Sequence, residues 1–397
     1  LVNELDGTSK TVYRDNLAGN DYYIGQDGAP NFDLANASAV LRAFTISDVT
    51  FIVNTDVKTE MSTDVSPFSR RQSSAPNEAL VVFNAVPLDS SISVTVRMDD
   101  GQTGTATVTH AGTQDDPTPN LSNIAKIMTT GDASIDPLLT FSGTALNDIA
   151  GVTCGLSRAQ NGVLHIIGDE AFTVKIDGAL GDQGATVIRE STTFFTSLPS
   201  TAPHLMIVKV EGNPETDVDD YYVRFLADGL PENSSEGSML SGRWVECPAP
   251  GIDFKYDYKT MPHILVRQSD GTFMYTEANG ETPSVSGTDS TIDWAALKFT
   301  DRTTGDNTTN PLPSFIGQKI TDITLFKNRL VITSGENVNL SEIGFYFNFF
   351  RTTVTQLLDS APIDVGVGGT EIAQLDRATP FSDRLMLFSE RAQFSLA

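Results

Sequence analysis

Two stretches of this chain repeat each other: Phe326-x-x-Arg329-Leu330-x-x-x-Ser334 and Phe381-x-x-Arg384-Leu385-x-x-x-Ser389 stand 55 residues apart. Each reads as a strand, a tight polar turn (KNRL, SDRL), a second apolar strand (LVIT, LMLF), a Ser-led turn and a third strand (NVNLSE, AQFSLA). A related unit without the Arg-Leu pair, FTISDVTFIVNTDV, lies at 44–57 with Asp48 in its turn. Antiparallel units recurring at 40 to 55 residues bury their faces against neighbours, which is the signature of β-propeller blades. The expected class is mainly β, a partial β-propeller, with a β-sandwich as the rival.

The remaining pattern agrees with many short strands. β-branched or alternating runs such as VTFIVN (49–54), SISVTVRM (91–98), GVLHIIG (162–168) and YYVRFL (221–226) are separated by Gly, Asn, Asp and Pro clusters. Helical spacing stands out at 119–130, where Leu121, Ile124, Ala125 and Met128 follow a polar start. About 250 residues separate the early unit from the later pair, too many for a loop, so they must hold inserted structure. The polar stretch 64–78 reads as the linker into it. The expected division is 1–64, an N-terminal β region with the first blade-like unit; 65–198, an inserted α+β module; 199–310, an acidic β-rich module; and 311–397, propeller blades. At 397 residues the chain exceeds what one hydrophobic core usually serves.

Charge narrows the function. With 26 basic and 51 acidic residues the formal charge is −25, the opposite of the clustered cations that grip nucleic-acid phosphates. Between 211 and 306 there are 18 acidic and 7 basic side chains, and the loops ENSSEG and NGETPSVSGTDST there read as exposed and mobile. No apolar run approaches the ~20 residues that would span a bilayer. The N-terminus lacks a signal-peptide pattern, and both ends read as cuts through a longer chain.

Catalytic and metal-binding patterns are missing. Cys154 and Cys247 form no CxxC pair, and His110, His165, His204 and His263 are scattered singly. Asp99-Asp100-Gly101, Asp115-Asp116 and Asp217-Val218-Asp219-Asp220 lack the DxDxDG register of a calcium loop and read as turns. There is no GxSxG elbow or P-loop, and DVGVGGTE (364–371) lacks the strand-glycines-helix context of phosphate binding. No catalytic, cofactor-binding or metal-ligating residue is assigned, and no cofactor is expected. The aromatic run Phe345-Tyr346-Phe347-Asn348-Phe349-Phe350 reads first as core, then as a subunit interface.

The stretch NPLPSFIGQKITDITLFKNRLVITSGENVNLSEIGFYFNFF (310–350) resembles the hallmark segment of the T7-type tail tubular protein B, or nozzle, family of short-tailed bacteriophages. Further blocks keep the family order: FTISDVTFIVN (44–54), LPSTAP, VKVEG and DDYYVRF (198–225), TMPHILVRQSDGTF (260–273), PIDVGV (362–367) and PFSDRLMLFSERAQFSL (380–396). The likeness is weakest at 65–197, and the family's N-terminal portion and C-terminal half have no counterpart here. It implies a virion tail protein without catalysis: a homo-hexamer forming a tube below the adaptor ring (tail tubular protein A). Tail fibres would dock at its side, and genomic DNA would pass through the lumen without specific binding. The rival functions are a carbohydrate-binding or adhesin module and a polysaccharide-degrading propeller of a virion surface.

Overall fold

The computed structural model describes residues 9–15, 23–24, 37–67, 77–157, 161–212, 219–232, 234, 239–368 and 373–397. These form two compact units, Leu1–Val65 with Ile252–Ala397, and Ser66–Gly251. Residues 199–251 therefore lie with 66–198, and 252–310 with the C-terminal part. The expected linker falls mostly outside the described residues, as do Asp217, Val218 and most of ENSSEG.

The chain opens the first unit with β1 (Val12–Arg14), β2 (Leu41–Ile46) and β3 (Val49–Asn54). β2 and β3 pair from Ile46↔Val49 to Leu41↔Asn54 around a two-residue turn in which Ser47 has φ 55°. Such short turns match the twist of the strands only with a residue in the left-handed region.

The second unit then intervenes. It comprises β4 (Glu78–Phe83), β5 (Ser91–Met98), β6 (Thr103–His110), helix α1 (Leu121–Thr130), β7 (Leu139–Gly143), β8 (Val152–Leu156), β9 (Val163–Gly168) and β10 (Phe172–Gly178), followed by β11 (Ala185–Ile188), β12 (Ser191–Thr192), β13 (Thr201–Pro203), β14 (Ile207–Val210), β15 (Tyr221–Ala227) and β16 (Met239–Cys247). Three sheets result, ordered β10-β5-β6-β7, β11-β4-β9-β8 and β12-β14-β15-β16-β13.

The alternation in SISVTVRM decides its placement. Ile92, Val94, Val96 and Met98 enter one core, while Ser93 and Thr95 point away and meet Thr107 and Thr105 across the strand pair at 2.8 and 2.9 Å. β4 is apolar on both faces because it is covered on both. Ala79, Val81 and Phe83 face the core shared with β5, β6 and α1, and Leu80 faces a second core with Val208, Val223 and Phe225. The helix begins where the Asn120 side chain accepts from Ser122 N at 2.9 Å. It ends at Gly131 (φ 73°), whose N–H donates to Ile127 O. Ile124, Ala125 and Met128 are buried, as their spacing requires.

Returning to the first unit, β17 (His263–Arg267) and β18 (Phe273–Thr276) complete the sheet begun by β2 and β3, in the order β1-β18-β17-β3-β2. The antiparallel meander β2-β3-β17-β18 is thus a single sheet whose hairpins lie on either side of the second unit in sequence. Two more sheets follow: β19 (Ile320–Phe326), β20 (Arg329–Ser334), β21 (Asn337–Leu340) and β22 (Ile363–Gly366), then β23 (Leu375–Phe381), β24 (Arg384–Ser389) and β25 (Gln393–Leu396). β19 packs against β2, β3 and β23, so the three sheets follow one another. The molecule is mainly β, and the expected hairpins at 44–54, 326–334 and 381–389 are formed.

Candidate functional site

The three hairpins superimpose position by position along the sequence. Their turns place Ser47, Lys327 and Ser382 at equivalent sites, with φ 55°, 46° and 56°. Four residues before the last residue of each leading strand stand Arg42, Asp322 and Arg377. At the last two the ladder carries the same irregularity, between Ile320 and Asp322 and between Leu375 and Arg377.

These three positions join the sheets. The buried Asp322 carboxylate accepts from Ala378 N at 2.8 Å and from Arg377 Nη1 at 3.5 Å. Arg42 lies within electrostatic reach of both. Burial lowers its pKa from the usual value, the like charge of Arg377 adds to this, and Asp322 opposes it. Asp322→Ala leaves a buried N–H unpaired and sets two cations against each other, so a loss of roughly 2–3 kcal/mol is expected. Asp322→Asn, which retains an acceptor oxygen, should fall between. Urea unfolding checks this, and an Ala variant as stable as the parent would remove the latch.

The arginine of KNRL does different work. Arg329 is 5% exposed. Its Nη1 donates to Ser341 O and Ala361 O at 2.7 Å each and to Ser360 O at 3.2 Å, and its Nη2 donates to Asp359 O at 3.1 Å. Four carbonyls from the end of β21 and the approach to β22 therefore converge on one guanidinium. Arg384, its counterpart, is exposed and reaches only Ser395 Oγ at 3.4 Å.

The aromatic run is mostly core, with Phe345 left exposed. Phe347, Phe349 and Phe350 join the core: Phe347 lies 5.1 Å from Phe51, Phe349 meets Phe315 edge-on at 5.3 Å, and Phe350 lies 5.3 Å from Tyr256. Phe345 is 66% exposed, on a segment fixed by Gly344 N to Asn328 O and by Tyr346 Oη to Asn328 Oδ1. The other residues of 310–350 are also structural ties. Asn310 bridges Thr304 O and both backbone groups of Arg351, and the Ser314 N–H and hydroxyl donate to the two Asp364 oxygens at 2.7 Å. A cleft lined by Asn310, Pro313, Asn339, Phe349, Arg351 and Asp364 therefore presents a carboxylate already occupied by Ser314.

The histidines are all buried. His165 Nε2 meets Glu78 Oε2 at 3.0 Å, His110 Nδ1 meets Val86 O, His204 accepts from Ala227 N, and His263 Nδ1 meets Tyr275 Oη at 2.8 Å. Burial pushes the Cys154 and Cys247 thiols up to about 12, away from reactive thiolate. Asp100 and Asp116 cap their own turns, accepting from Gln102 and Thr113, and these bonds hold both carboxyls below the usual range. The loop at 279–291, expected to be exposed and mobile, is largely exposed but tied where Asp289 accepts from Ser269 and Thr291 and the partly buried Val285 packs against the core. Among the described residues no group of three or more His, Cys, Asp or Glu could hold a metal, and no helix is long and apolar enough to cross a membrane.

Sequence reasoning passed over Arg42, Asp322 and Arg377, although the shared offset from the turns held the signal. The ties described here are those of a scaffold. Residues 5–397 match the family described as bacteriophage nozzle protein. Over 391 residues the chain is 30% identical to tail tubular protein gp12 of Escherichia phage T7, a stretch covering 96% of this chain and 42% of that protein. The chain thus spans less than half the length of that relative.

Proposed function

Because the chain belongs to the bacteriophage nozzle protein family, and is therefore a structural component of the virion tail rather than an enzyme, we propose that six copies of the full-length protein form a tube for genome ejection. The family match over 5–397 carries this reading. In it, the three successive sheets of the first unit, antiparallel but for the edge strand β1, are blades of a propeller, adjoining through their leading strands. The inserted region, and within it the module at 65–198, is an outward platform for the adaptor ring and the tail fibres.

The charge of −25 supports the conduit on physical grounds. Each phosphate neutralised by a protein cation adds affinity that must be broken for the duplex to move. An acidic wall repels the duplex and leaves it free to slide. The run 345–350 lends the adhesin reading little, since among its aromatic residues only Phe345 is exposed.

Negative-stain images and a mass measurement of the full-length protein test the proposal. Rings or tubes with six-fold symmetry and an axial hole are expected. A monodisperse monomer at assembly concentrations would overturn it.

A further inference from the structure

Arg302 is one of the largest fully buried side chains of the first unit, at 1% exposure. A guanidinium out of water requires partners for its charge and for its five N–H donors. One edge is satisfied, with Nη1 donating to Asn307 Oδ1 at 2.9 Å. The other edge, Nε with Nη2, is the fork that ordinarily receives a carboxylate, and both atoms are buried without an acceptor. Among the described residues no carboxylate comes within ion-pairing distance. Asp253 and Asp306 act on Arg302 only through space, and Asp306 is engaged by the backbone of Thr308 and Thr309.

A second orphan accompanies it. Tyr256 is fully buried and its hydroxyl has no partner. Both side chains lie against the same ring: the Arg302 Cζ is 5.4 Å from the Phe350 centroid, and the Tyr256 ring centroid is 5.3 Å from it. Each also perturbs the other's ionisation, which requires proximity.

From this geometry we infer that Arg302 and Tyr256 form a buried binding site for a small monovalent anion of chloride size. Donor arithmetic favours an anion over water. Nε–H, Nη2–H and the phenol O–H are all donors seeking an acceptor, and an anion satisfies them without bringing protons of its own. A water molecule would add two protons of its own, each needing a further acceptor, and would leave the guanidinium charge uncompensated. The anion also neutralises a buried cation that lacks an ion pair.

The test uses bromide as the probe. Crystals of the protein grown in sodium bromide should show an anomalous peak beside Arg302 Nε and Nη2. In solution, the melting midpoint of the full-length protein should rise by about 2–4 °C when sodium gluconate is replaced by sodium chloride at equal ionic strength. Tyr256→Phe should weaken that response, and Arg302→Met should abolish it. If Arg302→Met does not fold, the bromide map and the Tyr256→Phe titration still decide. No anomalous peak at Arg302, or melting curves identical in chloride and gluconate, would overturn the inference, as would density there for water alone.

Discussion

Arg329→Met is expected to destabilise the first unit by about 3 kcal/mol, the largest loss from any single hydrogen-bonding side chain of the repeated hairpins. The substitution keeps most of the aliphatic stem but withdraws the donors to Ser341, Asp359, Ser360 and Ala361 at once. Those carbonyls lie against a side chain that excludes water, so they lose one partner without gaining another. Arg329→Lys should recover little, because an ammonium has three donors at one point and cannot span acceptors arranged around a planar fork. Arg384→Met, at the equivalent turn, removes one long contact from an exposed side chain and should cost less than about 0.5 kcal/mol in this chain. Chemical denaturation of the three variants checks the contrast. Equal midpoints for Arg329→Met and the parent would show that the guanidinium clamps nothing.

His263 predicts a loss of stability in mild acid. The ring is wholly buried, stacked on Tyr23 at 4.1 Å, with Nδ1 against the Tyr275 hydroxyl. Burial lowers its pKa from 6.5 to about 3. The folded protein therefore keeps this imidazole neutral in a range where the unfolded chain protonates it. Unfolding takes up a proton between pH ~6.5 and ~3, so stability falls with decreasing pH across that window and is unaffected by this group above it. The slope is about 1.4 kcal/mol per pH unit, up to ~4–5 kcal/mol over the whole window. His263→Phe retains the stack but does not titrate. It should be less stable than the parent at pH 8, where the Tyr275 hydrogen bond is lost, and the gap should close or reverse near pH 4. A gap independent of pH would show that His263 is not the titrating group.

The two arginines and the histidine also mark how far sequence could reach. The hairpins were legible because a two-residue polar turn between apolar runs leaves the chain few alternatives, and the helix because Leu121, Ile124, Ala125 and Met128 recur at helical spacing after a polar start. The first sheet was legible only by half. β3 pairs with β17 from Val49↔Val266 to Ile52↔His263, and no local pattern reveals a partner some 200 residues away. Phe345 and Phe350 are the same residue type in one run, yet one is exposed and the other buried. Phe350 is packed on by Tyr256 and Arg302, both distant in sequence. The Asp322 latch was recoverable from the repeat offset. Arg302 carried no local signal, since its isolation is a property of what surrounds it.

The account rests on the chain being the wall of an axial conduit, and a residue-resolution reconstruction of the full-length protein within assembled tails tests that most directly. It should place six copies around the axis, with the sheets of the first unit arranged as propeller blades and carboxylates outnumbering cations along the channel. A tail in which this protein lies off the axis, or a lumen lined mainly by Lys and Arg with the acids turned outward, would contradict it.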